Sequence, residues 1–387
     1  LNFIGSSDLN LGAGAVTMTT GCSFTVGGAS KLTVGGDIAG AGFGFVKNGT
    51  GNLELNGNNT WTASSTLNLG EIVIGNDNAL NGALGLSLVF PTDANSKTLT
   101  LNGHSTTIRS LIMGVVVGGT ATVIRNNHAS TPVTLTVSPN AAAQYAGTIT
   151  DGGAAPLSLV KDGTQNWTFG GGGVGAATYS GDTIINQGTL TAGVNNLLPS
   201  GPGKGNLTVV SGATFDILDR SAMSLNGLSG AGTVDRSNPG GSTVSILTIG
   251  NADATSTFDG RIRTTHASAV MHVVKTGAGK LTLAGSNDYR GSTTNNSGIL
   301  EIGAGGSAGS LISTQIMNNA VLVFNRSGNL TYAGKIEGPG SVTNAGPGIV
   351  SLTGASTLTG PVTVTAGTLR INNPGSLPAT TTVTVKS

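Results

Sequence analysis

Charge is scarce in this chain. Of 387 residues, 9% are Asp, Glu, Lys or Arg, and the formal net charge is +1. No run of like charges occurs, which argues against a nucleic-acid platform, since that needs clustered Lys and Arg. Cysteine is limited to Cys22, so no internal disulfide can form. One cysteine leans towards export, and its bland role is a small apolar filler. Aromatic residues make up 4%. A core must therefore be built from Val, Ile, Leu and Ala. No apolar run approaches the roughly 20 residues of a membrane helix. The sequence begins at Leu1 with no methionine or basic leader, as expected of a processed or excised piece.

What is abundant is glycine, 64 residues, with 37% hydrophobic residues. Low charge with high glycine suits disorder, but the apolar share is enough for a long core. Length alone suggests two or three domains, and a single repeat array competes with that reading.

Self-similarity favours the array. "FVKNGTGNLELNGNNTW" begins at Phe45, "LVKDGTQNWTF" at Leu159 and "VVKTGAGKLTLAGSNDYRGSTT" at Val273. A weaker copy, "VTNAGPGIVSLTG", begins at Val342. Lys47, Lys161 and Lys275 are spaced by 114 residues and again by 114. Asn344 holds the lysine position of the fourth copy after only 69 more. The copies extend over residues near 45–76, 159–193, 273–303 and 342–373. Each is preceded by a glycine and an isoleucine, at Ile38, Ile149, Ile262 and Ile336.

Within a copy the period is two, as for Leu281 and Leu283 with Thr282 between them. Short strands are bounded by Gly, Asn, Asp and Ser. Asn-Gly pairs at Asn48, Asn56, Asn81, Asn102 and Asn226 predict turns with positive φ. The nearest approach to a helical turn is "GAGGSAGSLIST" near Gly303, and its glycines weaken it. A strand-turn spacing of about 20–25 residues fits a parallel β-helix better than a sandwich or propeller. About 16–18 coils would give a rod of about 80 Å.

The pattern resembles the autotransporter-associated β-strand repeat, also called the passenger-associated transport repeat. Lys275, Gly277, Gly279, Leu281, Leu283, Gly285, Asn287, Tyr289, Gly291 and Thr293 match it, as do Lys161, Gly163, Tyr179, Gly181, Thr183, Ile185, Gly188, Leu190 and Gly193. The second copy has an insertion at Gly170 to Gly175. The first has Trp61 where the pattern has tyrosine, and Ala63 for the following glycine. The resemblance covers about a third of the chain. It implies an all-β, right-handed parallel β-helix (a β-solenoid), elongated as one array over residues 1–387, at the extracellular or outer-membrane surface of a Gram-negative-type bacterium.

The candidate sites have bland alternatives. The lysines are expected at strand ends with their heads in solvent and their stems over a coil edge. Trp61, Tyr179 and Tyr289 are expected to pack at corners with polar tips near solvent, and an exposed aromatic row would instead stack on sugars. His104, His128, His266 and His272 lack zinc spacing. Asp216, Asp219 and Arg220 are the best seed for a catalytic acid cluster, with no second cluster near them in sequence. No phosphate loop or nucleophile elbow is present. The expectation is a protein that is not an enzyme, with no catalytic, metal or cofactor site.

The first reading is a surface stalk or filament building block, its ends stacking head to tail. That rests on the way "TTTVTVKS" continues into "LNFIG", which a fragment of a longer protein explains equally. The alternative is an adhesin module binding glycan or a host surface through a lateral face.

Overall fold

A computed structural model describes all residues except 81–86, 115–121, 172–176, 239–243, 374–376 and 387. The turn expected at Asn81 and most of the insertion from Gly170 to Gly175 lie outside the described residues. The chain divides into two compact units, Leu1–Pro199 and Ser200–Ser387.

In the first unit, Leu9–Asn10, Lys31–Val34, Asn52–Leu55, Gly70–Ile74, Lys97–Thr100, Thr122–Asn126 and Thr148–Gly152 form one seven-stranded sheet. All of its pairs are parallel. Hydrogen-bonded neighbours are never consecutive strands. Between them the chain visits other sheets, such as that of Cys22–Val26, Phe45–Asn48 and Ser65–Leu67. That path is a solenoid, in which each turn lays one strand on each face.

The period-two pattern produces its core. Leu32, Leu53, Ile72, Leu99, Ile124 and Ile149 stand in register on six successive turns, all fully buried. Each contributes about 1.5–3 kcal/mol by leaving water. Phe24, Phe45 and Trp61 add edge-to-face contacts, with centroids 5.5 and 5.1 Å apart.

The second unit repeats the plan. One of its seven-stranded parallel sheets includes Ser256–Phe258, Lys280–Leu283, Ile299–Ile302, Val321–Phe324, Ser341–Asn344 and Val362–Val364. Leu281, Leu300, Leu322, Val342 and Val362 form its buried ladder. The described strands make about 16 turns in all, as expected from the coil length. Turn length varies more than the sequence suggested. In-register partners lie 19 residues apart at Leu53 and Ile72 and 29 apart at Thr106 and Leu135. Extra residues fall between strands, where added loop length costs little.

No α-helix occurs among the described residues, and the stretch near Gly303 is non-helical. The Asn-Gly turns are of two kinds. Asn102 and Gly103 both have positive φ, and at Asn48 the glycine alone does. Gly57 and Gly227, after Asn56 and Asn226, do not. At Gly57 the need is space: a Cβ would meet the Gly36 carbonyl oxygen at 2.3 Å.

Candidate functional site

The recurring motif carries a repeated set of buried polar side chains. Its lysine lies at the end of a strand, or one residue before it, and alternate residues of that strand point inward, so the side chain is directed into the solenoid. Lys47, Lys161 and Lys275 are all 0% exposed. This corrects the expectation of ammonium heads in solvent. The reason is a local set of acceptors that replaces water.

Lys47 Nζ donates to the carbonyls of Asn48 (2.9 Å), Gly49 (2.8 Å) and Leu69 (3.1 Å). Lys161 Nζ donates to Asp162 (2.8 Å), Gly163 (2.7 Å) and Gln187 (3.0 Å). Lys275 Nζ donates to Thr276 (2.7 Å), Gly277 (2.8 Å) and Ser297 (2.9 Å). Two acceptors belong to the lysine's own turn and one to the next coil, so the ammonium clips successive coils together.

The glycines shape this cage. Gly49, Gly163 and Gly277 take φ of 76°, 72° and 73°, a region costly for other residues. In the fourth copy, where Asn344 replaces lysine, Gly346 is outside that region. Asn344 Nδ2 keeps only the upper contact, to the Ala366 carbonyl at 3.0 Å.

Burial pushes Lys47 and Lys161 down to about 8, opposed by Glu71 and Asp162 respectively. Lys275 is also lowered by burial, with Asp253 opposing. Lys97, outside the motif, is another buried lysine, held by Asp93 and the Asn95 carbonyl.

A further coil-to-coil clip recurs 12 residues after the lysine position. Asn287 Oδ1 accepts from the Ile262 amide at 3.0 Å, and its Nδ2 donates to the Ser310 carbonyl at 3.3 Å. In the first copy Asn59 accepts from Ile38 at 2.7 Å and donates to Ala79 at 2.7 Å. Ser356 accepts from Ile336 at 3.0 Å in the fourth. The isoleucine preceding each of these three copies thus supplies a partner one coil away. Beside it, Gly285 passes so close to Gly260 that a Cβ would lie 1.8 Å from the latter's carbonyl oxygen.

Tyr179 and Tyr289 are also buried to the tip, which corrects the expectation of polar tips near solvent. Their hydroxyls meet Thr183 and Thr293, each at 2.6 Å. Burial raises both phenols well above their ordinary value. Trp61 is equally buried. The aromatic positions of the motif therefore form no exposed row.

Leu281 and Leu283 are core residues, and Gly279 lies where a Cβ would meet the Asp253 carbonyl oxygen at 2.3 Å. The roles of Asn59, Asn287, Thr183 and Thr293 were missed from sequence. The joint loss of tyrosine and threonine in the fourth copy, to Leu358 and Val362, was the available signal.

The copies do not align above one another. Lys47 is on the sheet containing Cys22–Val26, whereas Lys161 is on that of Thr106–Ile108 and Val133–Val137. In the second unit, Lys275 and Asn344 also belong to different sheets.

The candidate acid cluster acquires a neighbour. Asp216 is in register with Asp235, and Asp235 with Arg263. Ser237 donates to Asp216 Oδ2 at 2.6 Å, and Arg263 Nε to Asp235 Oδ2 at 2.9 Å. Burial, with Asp235 adding, raises the Asp216 pKa. Asp219 pairs with Arg220.

His266 and His272 contact Ser268 and Ser292 (3.1 and 2.7 Å). His104 Nδ1 lies 3.1 Å from Asp77, and His128 Nδ1 accepts from the Thr131 amide at 2.9 Å. Among the described residues no cluster of three metal-ligating side chains occurs. Cys22 is half-buried, its thiol 3.3 Å from Met18 Sδ.

The sequence profile of the passenger-associated transport repeat matches residues 45–74, 159–192, 273–302 and 342–371. The chain is 29% identical over 384 aligned residues to "Adhesin BmaC autotransporter" of Brucella suis biovar 1 (strain 1330). That alignment covers 86% of this chain and 11% of the relative. No solved structure matches significantly. The chain carries four passenger-associated transport repeats, and its setting is the extracellular or outer-membrane surface of a Gram-negative bacterium. No helix among the described residues is long and apolar enough to cross a membrane.

Proposed function

We propose that this chain is a non-catalytic structural segment of an autotransporter passenger, a solenoid stalk at the cell surface. The observation that carries the reading is the burial of Lys47, Lys161 and Lys275 in carbonyl cages between coils. The most recurrent residues of the chain are spent on coil-to-coil contacts. In a solenoid, stability accumulates through such nearest-neighbour contacts, so length is the property that repetition supplies.

Adhesion is the second reading, favoured by the name of the Brucella relative. The buried aromatics weigh against a sugar-stacking row made from the motif. Head-to-tail association of copies is a separate proposal, for which concentration-dependent sedimentation is the test.

Removing one 114-residue interval, Lys47 to Val160, within a full-length passenger, tests the stalk reading. The stalk reading expects surface display to persist with a shorter reach and unchanged attachment per displayed molecule. Loss of attachment at equal display would overturn it in favour of adhesion.

A further inference from the structure

The first unit has a lateral groove of about 380 Å³ lined by Asp77, Asn78, Ser105, Thr106, Thr107, Thr134 and Thr136. Its volume falls in the range of small-molecule sites. The floor is built by the solenoid repeat. Thr107 is in register with Thr136 on the next turn, and the Thr134 amide donates to Ser105 Oγ at 2.9 Å. Hydroxyls therefore recur on two adjacent strands, at coil spacing in one direction and two residues apart in the other.

The hydroxyls of Thr107, Thr134 and Thr136 make no hydrogen bond to other described residues. On the wall, Asp77 Oδ1 lies 3.1 Å from His104 Nδ1, and Asn78 Nδ2 donates to Asn58 at 3.0 Å. These contacts orient the two wall side chains while leaving acceptors on both.

The chemistry selects the ligand class. No Lys or Arg lines the groove, and its charged side chain is Asp77, so phosphate, sulfate and sialylated groups are disfavoured. No aliphatic or aromatic side chain beyond threonine methyls lines it, so an apolar ligand gains little. Hydroxyl donors beside an amide and a carboxylate suit the alternating donors and acceptors of a sugar. The geometry points to a subsite for a neutral saccharide, using the Thr107, Thr134 and Thr136 hydroxyls as floor and Asp77 and Asn78 as wall. It deepens the adhesion reading and does not depend on the stalk.

The test is a backbone-amide chemical-shift titration of the whole chain with maltose, lactose and cellobiose, using glucose 6-phosphate as the anionic control. Shifts clustered at Thr107, Thr134 and Thr136, saturating at millimolar sugar, are expected for at least one disaccharide. Thr134→Val with Thr136→Val, which keeps the β-branched outer face, should weaken that binding about tenfold with an unchanged melting profile. Asp77→Ala should weaken it comparably. The subsite is overturned if no disaccharide shifts these amides, if the variants bind as well as the parent, or if glucose 6-phosphate binds equally. Attachment to host cells that survives the paired valine change would likewise sink the subsite as the adhesive element while leaving adhesion itself standing.

Discussion

Tyr179 Oη lies 2.6 Å from Thr183 Oγ1, and both side chains are buried. The same pair recurs as Tyr289 and Thr293, and in the fourth copy both members give way to apolar residues, Leu358 and Val362. A buried hydroxyl without its partner costs more than a pair replaced together.

Tyr179→Phe and Thr183→Val should each destabilise the surrounding coils by about 1–2 kcal/mol. The double variant should cost less than their sum. A double-mutant cycle by denaturant unfolding reads this coupling; strict additivity would contradict a direct bond.

Lys161→Met removes the donor while keeping much of the side-chain volume. The carbonyls of Asp162, Gly163 and Gln187 lose a partner they share. The expected cost is about 3 kcal/mol, concentrated locally because a solenoid couples nearest neighbours. Hydrogen exchange should accelerate at residues 157–191 more than at 45–74. Uniform acceleration, or none, would count against the cage.

Lys47 and Lys161 should titrate near pH 8, against about 10.4 for ordinary lysines. Burial disfavours the charged form, so the folded chain binds fewer protons than the unfolded chain between these values. Stability contributed by the two sites should therefore rise with pH from about 8 to about 10.4. Carbon-detected shifts of the lysine Cε, with Lys47→Met and Lys161→Met for assignment, would read the two values. Titration alongside the exposed lysines would refute the desolvated setting.

Much of this was legible in advance. The 114-residue spacing, the alternation at Leu281 and Leu283 and the punctuating glycines identify the solenoid and its inner face. The lysine's environment was not legible, because its acceptors are main-chain carbonyls, which leave no mark on residue identity. One of them, on Leu69, Gln187 or Ser297, lies on a different coil. Asp235 beside Asp216 was hidden for a related reason: register between turns depends on the turn's length, which varies.

Asp216 carries a raised pKa from burial, reinforced by Asp235. Its folded state holds the proton more tightly than the unfolded chain, so stability falls as pH rises from the ordinary aspartate value through the folded one. Asp216→Asn removes that charge while retaining an acceptor for the Leu218 amide. The variant should be more stable than the parent at pH 7, read as a higher denaturant midpoint. Loss of stability at pH 7 would show that the carboxylate is needed in its charged form.

Amine-selective labelling of the native chain, read residue by residue by mass spectrometry, tests the central claim most directly. A lowered pKa makes an accessible amine more reactive, so protection can come only from burial. Lys31, Lys280 and Lys335, whose side chains are 41%, 42% and 46% exposed, should label readily. Lys47, Lys161 and Lys275 should stay unlabelled until the chain is unfolded. Labelling of those three at or above the rate of the exposed lysines in the folded chain would contradict the buried clips on which the account rests.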